Sequence, residues 1–519
     1  MKGVKTLEPS IQKSADYLTW FAIAGIFLST ALLFARVISN LAFEEPLLIE
    51  TSGFEVSSLY AMWKWVKGLP IYADTFAIPY AASYFNFMFY LFYGSCINTV
   101  LFLMDLGPEW IPTLGRWVTL SFCVAGCWLS WIIFSNLLKK TSGFPKILIL
   151  GLSVYAFTSP FIGFWAITVR PDVAAYFFEV LGFYVFARFY KTDFAKTCIA
   201  TVALSYVAWS FKQSSVSCLA GILIFLVLER KLILALCIFS GITVLWALTY
   251  WIAGPDYTFN TFYSLYQNPF VLEAGIRNIT LFAVKYALVL PAFFLLVFIC
   301  IAGCFKSMIR SSDDFRLIVT ILGFSLLFSF LTSNKLGASD NYYFIPSFFL
   351  MASTVFILNY LFNQNALKQV VIFVWSAAWV LHIVAICLVM LGIRGEVSHL
   401  SLHVMHKELK TCMDLLPKPV FVEDRFLNLP WFKTEDYFIR SMNYDLDRLA
   451  GRAVEKGGVG GLIRDQYFAS LMIDTAFRHS FDGATYDGYK IAELPDCPST
   501  INIFIREQDV VAGQILPVQ

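Results

Sequence analysis

The stretch 232–252 reads LILALCIFSGITVLWALTYWI and contains no charged residue. A helix needs about 20 mostly apolar residues to cross the hydrocarbon core of a bilayer, so this run predicts a membrane-spanning helix. Arg230 and Lys231 stand directly before it, as expected at the cytoplasmic end of a span. Similar apolar runs recur along the chain.

The composition of the whole chain agrees with this prediction. Of the 519 residues, 58% are hydrophobic, 18% are aromatic and 14% are charged. Soluble domains are about 45–50% apolar and about 25% charged, so the composition argues against a cytosolic enzyme and against a disordered protein. The net charge of +2 provides no basic field for a nucleic acid, which we therefore exclude as a partner.

We predict an all-α polytopic membrane domain over residues 1–392 with about eleven spans. The predicted spans lie near 18–40, 116–138, 145–167, 173–190, 196–211, 214–229, 232–252, 279–303, 315–332, 343–361 and 369–392. Lysine and arginine in alternate loops place the N-terminus in the cytoplasm and, with an odd number of spans, the C-terminus outside. We therefore expect a multi-pass protein of the plasma membrane, which in bacteria is the inner membrane.

Two segments differ from the simple pattern of spans. Residues 41–115 form a long first outer loop, in which 84–106 predicts a helix along the membrane interface. The tail 393–519 is more polar and predicts a small α/β outer domain, with candidate strands at 420–422 and 500–505. Cys412 and Cys497 both lie in this tail, where a disulfide and two free thiols are equally compatible with the sequence.

Charged and polar residues are concentrated in the outer loops, although charge is costly beside a bilayer. The candidates are Glu50, Glu55, Tyr72 and Asp74 in the first loop, Arg170 and Asp172 after the third span, Lys212 and Gln213 after the fifth, and Lys335, Asn341 and Tyr342 after the ninth. Because these loops share one face of the membrane, we expect them to form a pocket. In such a pocket a carboxylate can accept a hydroxyl proton, and cations can stabilise a phosphate leaving group.

Structural roles also account for some of these residues. Asp172 fits the N-terminal cap of the helix that begins at Val173, and Arg170 fits an interfacial arginine whose charged head reaches toward water. The chain contains no phosphate-binding loop, no dinucleotide-binding fingerprint and no zinc-protease motif. We predict no metal site and no cofactor, with a divalent cation on the paired acids as the alternative.

Several motifs occur together in chain order. They are Gly53-Phe54-Glu55-Val56, Gly68-Leu69-Pro70-Ile71-Tyr72-Ala73-Asp74, Arg170-Pro171-Asp172, Ser210-Phe211-Lys212-Gln213 and the segment Lys335–Tyr342. This series resembles the class C glycosyltransferases (GT-C fold), which are polytopic enzymes that use polyprenyl-phosphate sugars. The resemblance is to the bacterial branch that modifies lipopolysaccharide core and other surface glycans, related to the aminoarabinose and protein O-mannosyl transferases. The chain departs from that branch at Phe54-Glu55-Val56 and at Asn86-Phe87-Met88.

The resemblance implies an inverting, metal-independent glycosyltransferase with its active site on the outer, periplasmic side. It would transfer a sugar from a polyprenyl-phosphate donor, which lies in the membrane among the lipids, to a glycan, lipid or protein acceptor. Glu55 or Glu50 would be the general base, and Asp172 and Asp74 would orient the acceptor or the base. The remaining residues would bind substrate: Arg170, Lys212 and Lys335 on the phosphate, with Gln213, Asn341, Tyr342 and Tyr72 beside them.

Two other classes of protein fit parts of the sequence. A transporter or flippase for a lipid-linked sugar would also place charges in an outer pocket, although transporters commonly consist of two repeated halves and no repeat is visible here. A non-catalytic membrane scaffold would use the tail, which is long enough to fold as a domain, as a receptor.

Overall fold

The structure is a computed structural model that describes residues 9–40, 55–78, 80, 82–137, 146–159, 162–264, 269–285, 289–301, 304–335, 337–362, 376, 379–384, 387, 411–422, 437–438, 453–474, 479–495, 497 and 501–510. Six helices in these ranges are long and apolar enough to cross a membrane. They are Phe87–Met104, Pro108–Leu137, Phe194–Phe211, Leu232–Tyr263, Asp313–Thr332 and Asp340–Tyr360. The chain is therefore a multi-pass membrane protein, while the number of about eleven spans stays a prediction.

The helices of the membrane domain follow the apolar runs. In chain order they are α1 (Pro9–Asn40), α2 (Glu55–Val66), α3 (Phe87–Met104), α4 (Ile111–Leu137), α5 (Lys146–Thr158), α6 (Asp172–Phe189), α7 (Phe194–Phe211), α8 (Ser217–Leu228), α9 (Leu232–Thr258), α10 (Leu272–Lys285), α11 (Val289–Ile301), α12 (Cys304–Ser311), α13 (Asp313–Thr332) and α14 (Phe344–Phe362). The predicted span 279–303 falls on both α10 and α11. Most of the predicted span 369–392 lies outside the described residues.

Close helix packing depends on a small residue between α8 and α13. A Cβ atom added to Gly221 on α8 would lie 2.8 Å from the Cα atom of Ile321 on α13. Only glycine lets two helix backbones approach this closely, and small residues serve the same purpose at many helix contacts in membranes. This contact holds α8 against α13 and so fixes the position of the residues at the start of α8.

Polar contacts between neighbouring helices lie at the two opposite ends of the bundle. One end, here called the site end, contains the first residue of α6 and the residues that follow α7 and precede α14. At the opposite end Lys191 lies 2.7 Å from Asp313, and the Arg316 guanidinium lies 3.1 Å from the Glu229 carboxylate. The apolar stretches between these polar ends form the interior of the bundle.

Helix α3 contacts the site end along its length. Before its first turn, the Asn86 amide donates a hydrogen bond of 2.6 Å to the Trp209 carbonyl near the end of α7. Further along, Tyr93 and Ile97 approach Thr119 and Gly115 in the first turns of α4. Helix α3 is one of the six helices that are long and apolar enough to cross a membrane, and its predicted position along the interface stays a prediction.

The C-terminal part forms a small α/β unit. Its strands are β1 (Val420–Val422), β2 (Tyr437–Phe438), β3 (Ser470–Asp474), β4 (Ser480–Phe481), β5 (Ala484–Thr485), β6 (Tyr489–Ala492) and β7 (Ile501–Arg506), with helix α15 (Gly458–Arg464). Five strands form a sheet in the order β2-β1-β3-β7-β6, in which β1 is parallel to both neighbours and β7 is antiparallel to its neighbours. The two predicted strands correspond to β1 and β7, and Cys412 and Cys497 form a disulfide.

The first loop is anchored in this C-terminal unit. Tyr80 is buried in the hydrophobic core of the unit, and its hydroxyl donates a hydrogen bond of 2.5 Å to the Glu455 carbonyl. The Glu455 amide donates to the Phe76 carbonyl at 2.9 Å, and the Ile78 amide donates to the Glu455 carboxylate at 3.3 Å. We call residues 71–86 the loop segment, because this stretch connects the C-terminal unit to the membrane helices.

Replacing Tyr80 by Ala should loosen the C-terminal unit from the membrane domain. Loss of a buried aromatic ring costs about 3–5 kcal/mol, whereas Tyr80→Phe loses one hydrogen bond worth about 1 kcal/mol. Limited proteolysis of the full-length protein in detergent measures the difference as faster cleavage between the two parts in the alanine variant. Equal protection of the alanine, phenylalanine and parent proteins would show that Tyr80 does not anchor the unit.

Candidate functional site

The site end is centred on a buried carboxylate. Asp172, the first residue of α6, is 4% exposed. Its Oδ2 atom accepts a hydrogen bond of 3.0 Å from Nε of Arg170, and its Oδ1 atom accepts one of 2.5 Å from Nζ of Lys212. The Asn341 amide also donates to Oδ1. These four residues, here called the Asp172 cluster, come from three distant segments of the chain.

Aromatic rings surround both cations of the cluster. The Arg170 guanidinium lies 4.3 Å from the ring centre of Trp165 and 5.7 Å from that of Phe85. The Lys212 ammonium lies 4.8 Å from the ring centre of Tyr342. Contacts of this kind attract a cation and exclude water from it, so they strengthen electrostatic interactions inside the cluster.

Burial and the neighbouring Asp172 carboxylate have opposite effects on the pKa of Lys212, which lies in the turn between α7 and α8. Burial lowers the pKa of its ammonium group, and the adjoining Asp172 carboxylate works against this effect. The Arg170 guanidinium lowers the pKa further, since it is a like charge. The Asp172 carboxylate is therefore the group that keeps Lys212 charged.

A pocket opens beside the cluster. It is lined by Asp172, Tyr176, Glu179, Lys212, Ser214, Ser215, Ser217, Phe328, Asn341, Tyr342, Phe344 and Ile345. Asp172, Lys212, Asn341 and Tyr342 are residues that the sequence analysis named, whereas Glu179 is not. An acidic residue inside the apolar run 173–190 is unusual in a membrane protein, and this signal would have identified Glu179 from the sequence.

Two amide side chains have free oxygen atoms near the cluster. The Gln213 amide donates hydrogen bonds to the carbonyls of Tyr84 at 2.7 Å and Thr261 at 3.1 Å. Within the described part of the chain, the buried Oε1 of Gln213 and Oδ1 of Asn341 accept no hydrogen bond. Buried acceptors usually have a donor, so these two atoms are suited to the hydroxyl groups of a ligand.

Tyr72 lies in the loop segment and has a hydrogen-bonded hydroxyl. That hydroxyl donates to the Phe85 carbonyl at 2.7 Å, and the ring meets the Tyr257 ring edge-on at 4.8 Å. Phe85 in turn packs against Arg170 of the cluster. Tyr72 therefore supports the wall behind the cluster, and its predicted contact with substrate stays a prediction.

Glu55 is placed away from the pocket. It is fully buried at the start of α2, where its two carboxylate oxygens lie 3.3 and 3.4 Å from the guanidinium of Arg116, which is also fully buried. The Val169 amide donates to the same carboxylate at 2.9 Å. These contacts join α2, α4 and the turn before Arg170, so they give Glu55 a structural function; its assignment as the general base stays a prediction.

The other expected site residues are not gathered in the pocket. Asp74 is exposed, and its carboxylate accepts a hydrogen bond of 2.9 Å from the Phe76 amide. The Lys335 ammonium lies 5.8 Å from the ring centre of Phe270, and burial lowers its pKa. Glu50, the alternative base, lies outside the described residues.

Among the described residues, no group of three or more His, Cys, Asp or Glu side chains is arranged to hold a metal ion. The chain matches no protein-family model, and a comparison with curated proteins finds no relative.

The Glu55–Arg116 pair predicts a stability effect. Glu55→Gln leaves the Arg116 charge buried without its counter-ion, which costs about 3–5 kcal/mol. Glu229→Gln is the matched control, because it breaks a partly exposed pair with Arg316 and should cost less than about 1 kcal/mol. Thermal unfolding in detergent should show a clearly lower midpoint for Glu55→Gln. The double variant, which carries both Glu55→Gln and Arg116→Gln, should lose less stability than the two single variants together. A full loss of activity in Glu55→Gln with unchanged thermal stability would instead favour its role as the base.

Proposed function

We propose that this protein is an integral-membrane inverting glycosyltransferase that transfers a sugar from a polyprenyl-phosphate donor to a cell-surface glycan or lipid. The observation that carries the proposal is the Asp172 cluster, in which two buried cations share one carboxylate at the wall of a pocket. The motif resemblance suggests the class of reaction, and the cluster supplies groups that suit it.

The cluster suits a phosphate. A guanidinium has five N–H groups and an ammonium has three, so a phosphate can share Arg170 and Lys212 with Asp172. Charge-assisted hydrogen bonds from such groups to phosphate oxygens are strong. As the bond to the sugar breaks, negative charge grows on the phosphate oxygen, and cations already held in position stabilise it.

The pocket also suits a sugar. The free acceptor oxygen of Asn341 can receive a hydrogen bond from a hydroxyl group, and the serines at 214, 215 and 217 add further polar groups. The apolar lining supplied by Phe328, Phe344 and Ile345 lies beside these polar groups. A donor with a charged phosphate, a hydroxylated ring and an apolar tail would match all three surfaces.

Two observations support an outward-facing site. The opposite end of the bundle carries a set of basic residues, namely Arg188, Lys191, Lys196, Arg230, Lys231 and Arg316, and such residues concentrate on the cytoplasmic side. The C-terminal unit contains the Cys412–Cys497 disulfide, and disulfides persist in oxidising compartments outside the cytoplasm. Both support the proposed topology, in which the N-terminus is cytoplasmic and the C-terminal unit is outside, as in the periplasm of a bacterium.

Removal of a cation from the cluster should abolish sugar transfer. We expect Lys212→Ala to lower the transfer rate by about 100-fold or more, the size of effect seen when one group that stabilises developing charge is lost. Lys196→Ala is the matched control, because Lys196 lies in the first turn of α7, at the opposite end of the bundle, and pairs with the partly exposed Asp193. The mass profile of the surface glycan in a deletion strain that carries each variant measures the effect.

The same strains separate the proposed function from a flippase. If the deletion strain loses a sugar from its surface glycan and accumulates the lipid-linked sugar at the outer leaflet, the protein transfers sugar. Retention of that lipid-linked sugar in the inner leaflet would instead show a flippase. A complete glycan in the Lys212→Ala strain would contradict the proposed site.

The Asp172 carboxylate predicts a pH effect. Asp172 raises the pKa of Lys212 against the effect of burial, so Asp172→Asn should lower that pKa further. Lys212 would then lose its proton at a lower pH, and the alkaline fall of the transfer rate should begin earlier in the variant than in the parent. The pH profile of sugar transfer by the purified protein in lipid vesicles measures this, and an unchanged alkaline limb would contradict the coupling of the two groups.

A further inference from the structure

The pocket contains a second carboxylate that the cluster does not use. Glu179 lies two turns after Asp172 on α6, is 7% exposed and lines the pocket. Its Oε2 atom accepts a hydrogen bond of 2.9 Å from the Cys218 amide and one of 3.3 Å from the Ser217 hydroxyl. Both donors are neutral groups in the first turn of α8, where backbone amides attract a carboxylate.

The two pocket carboxylates differ in what they contact. Asp172 is bonded to two cations and an amide, and a carboxylate in such surroundings is a poor proton acceptor. Glu179 has a weaker electrostatic interaction with Lys212, whose ammonium is bonded to Asp172, and its own hydrogen bonds come from neutral donors. A carboxylate held by neutral donors keeps more of its basicity.

The acidic groups of the first loop are less well placed for this task. The Glu55 carboxylate is bonded to Arg116 and to the Val169 amide, and neither Glu55 nor Asp74 is among the residues that line the pocket. A general base has to come within hydrogen-bond distance of the hydroxyl proton that it removes. Of the acidic residues that the structure describes, Asp172 and Glu179 meet this requirement for a ligand in the pocket.

We infer that Glu179 is the general base of the transfer reaction; this inference rests on the proposed function. The Glu179 carboxylate removes the proton from the acceptor hydroxyl while that oxygen forms a bond to the anomeric carbon of the sugar. The bond between the anomeric carbon and the phosphate oxygen breaks, and its electron pair remains on the phosphate, which Arg170 and Lys212 stabilise. The proton ends on Glu179, and attack opposite to the leaving phosphate inverts the anomeric centre.

A purely structural role for Glu179 makes a different prediction. In that role its carboxylate would only cap the first turn of α8 and hold the turn that carries Lys212. Glu179→Gln keeps an acceptor oxygen for the Cys218 amide and the Ser217 hydroxyl, so it preserves the cap, but a neutral amide cannot accept the hydroxyl proton. The glutamine variant therefore separates the two roles.

The test uses full-length protein in lipid vesicles, with lipid-linked sugars extracted from the deletion strain as donor and surface glycan from the same strain as acceptor. We expect Glu179→Gln to lower kcat by about 100-fold or more, the contribution typical of general base catalysis. The donor KM should change little, because Arg170 and Lys212 remain in place. Glu229→Gln is the matched control, since it neutralises a glutamate at the opposite end of the bundle, where Glu229 pairs with Arg316.

The pH profile distinguishes the base from its neighbours. The titratable and charged groups that face Glu179 are Asp172, Tyr176, Lys212, Cys218 and Tyr342. The base has to be deprotonated, so the rate of the parent protein should fall toward acid pH, and this acid limb should be absent from Glu179→Gln. Glu179→Asp keeps a carboxylate and should show a lower kcat with the acid limb retained.

The outcomes separate the inference from the proposed function. If Glu179→Gln keeps the kcat and the acid limb of the parent while Lys212→Ala loses transfer, Glu179 is not the base and the proposed function stands. If Glu179→Gln is unstable in thermal unfolding, the pH profile of Glu179→Asp is the deciding measurement. Absence of the acid limb from that profile would overturn the inference. If the parent protein transfers no sugar from these donors, the proposed function itself fails.

Discussion

The burial of the Asp172 carboxylate is the constraint on which the arrangement of the site depends. A carboxylate removed from water costs several kcal/mol unless charged or polar donors replace the water. Here the donors come from Arg170, from Lys212 after α7 and from Asn341 before α14. Three segments that are far apart in the chain therefore have to meet at the start of α6, and the pocket beside them is a consequence of that meeting.

The loop segment extends this constraint to the C-terminal unit. Tyr80 is fixed in the core of that unit, the Ser83 amide donates to the Asn260 side chain at 2.9 Å, and the Tyr84 carbonyl accepts from Gln213. Five residues thus connect the C-terminal unit, the end of α9 and the turn that carries Lys212. Through these contacts the loop segment ties the C-terminal unit to the turn that carries Lys212.

The sequence was sufficient to predict a helical membrane protein with a C-terminal sheet unit, because apolar runs and the polar tail depend on composition over many residues. It also named most of the polar residues that the structure gathers at the site end, because charges beside apolar runs are rare enough to be noticed. The partners of those residues were not predictable. Arg116 lies 61 residues after Glu55 and just inside an apolar run, so nothing local indicated that it would neutralise the expected base. Glu179 was missed for a different reason: it was counted as part of a span, although an acidic residue inside an apolar run is itself a signal.

The contrast between Asp172 and Glu179 explains how one pocket can serve both ends of a displacement reaction. The leaving phosphate needs cations that are already in position, and a cation buried without a counter-ion would be costly in the empty protein. Asp172 offsets that cost by its contacts with Arg170 and Lys212, which a phosphate would share in the proposed reaction. A carboxylate that is already bonded to two cations is a poor base, so proton removal in the proposed reaction would require a second acidic group that is bonded to neither cation. Glu179, held at the start of α8 by neutral donors, meets that requirement within the same pocket.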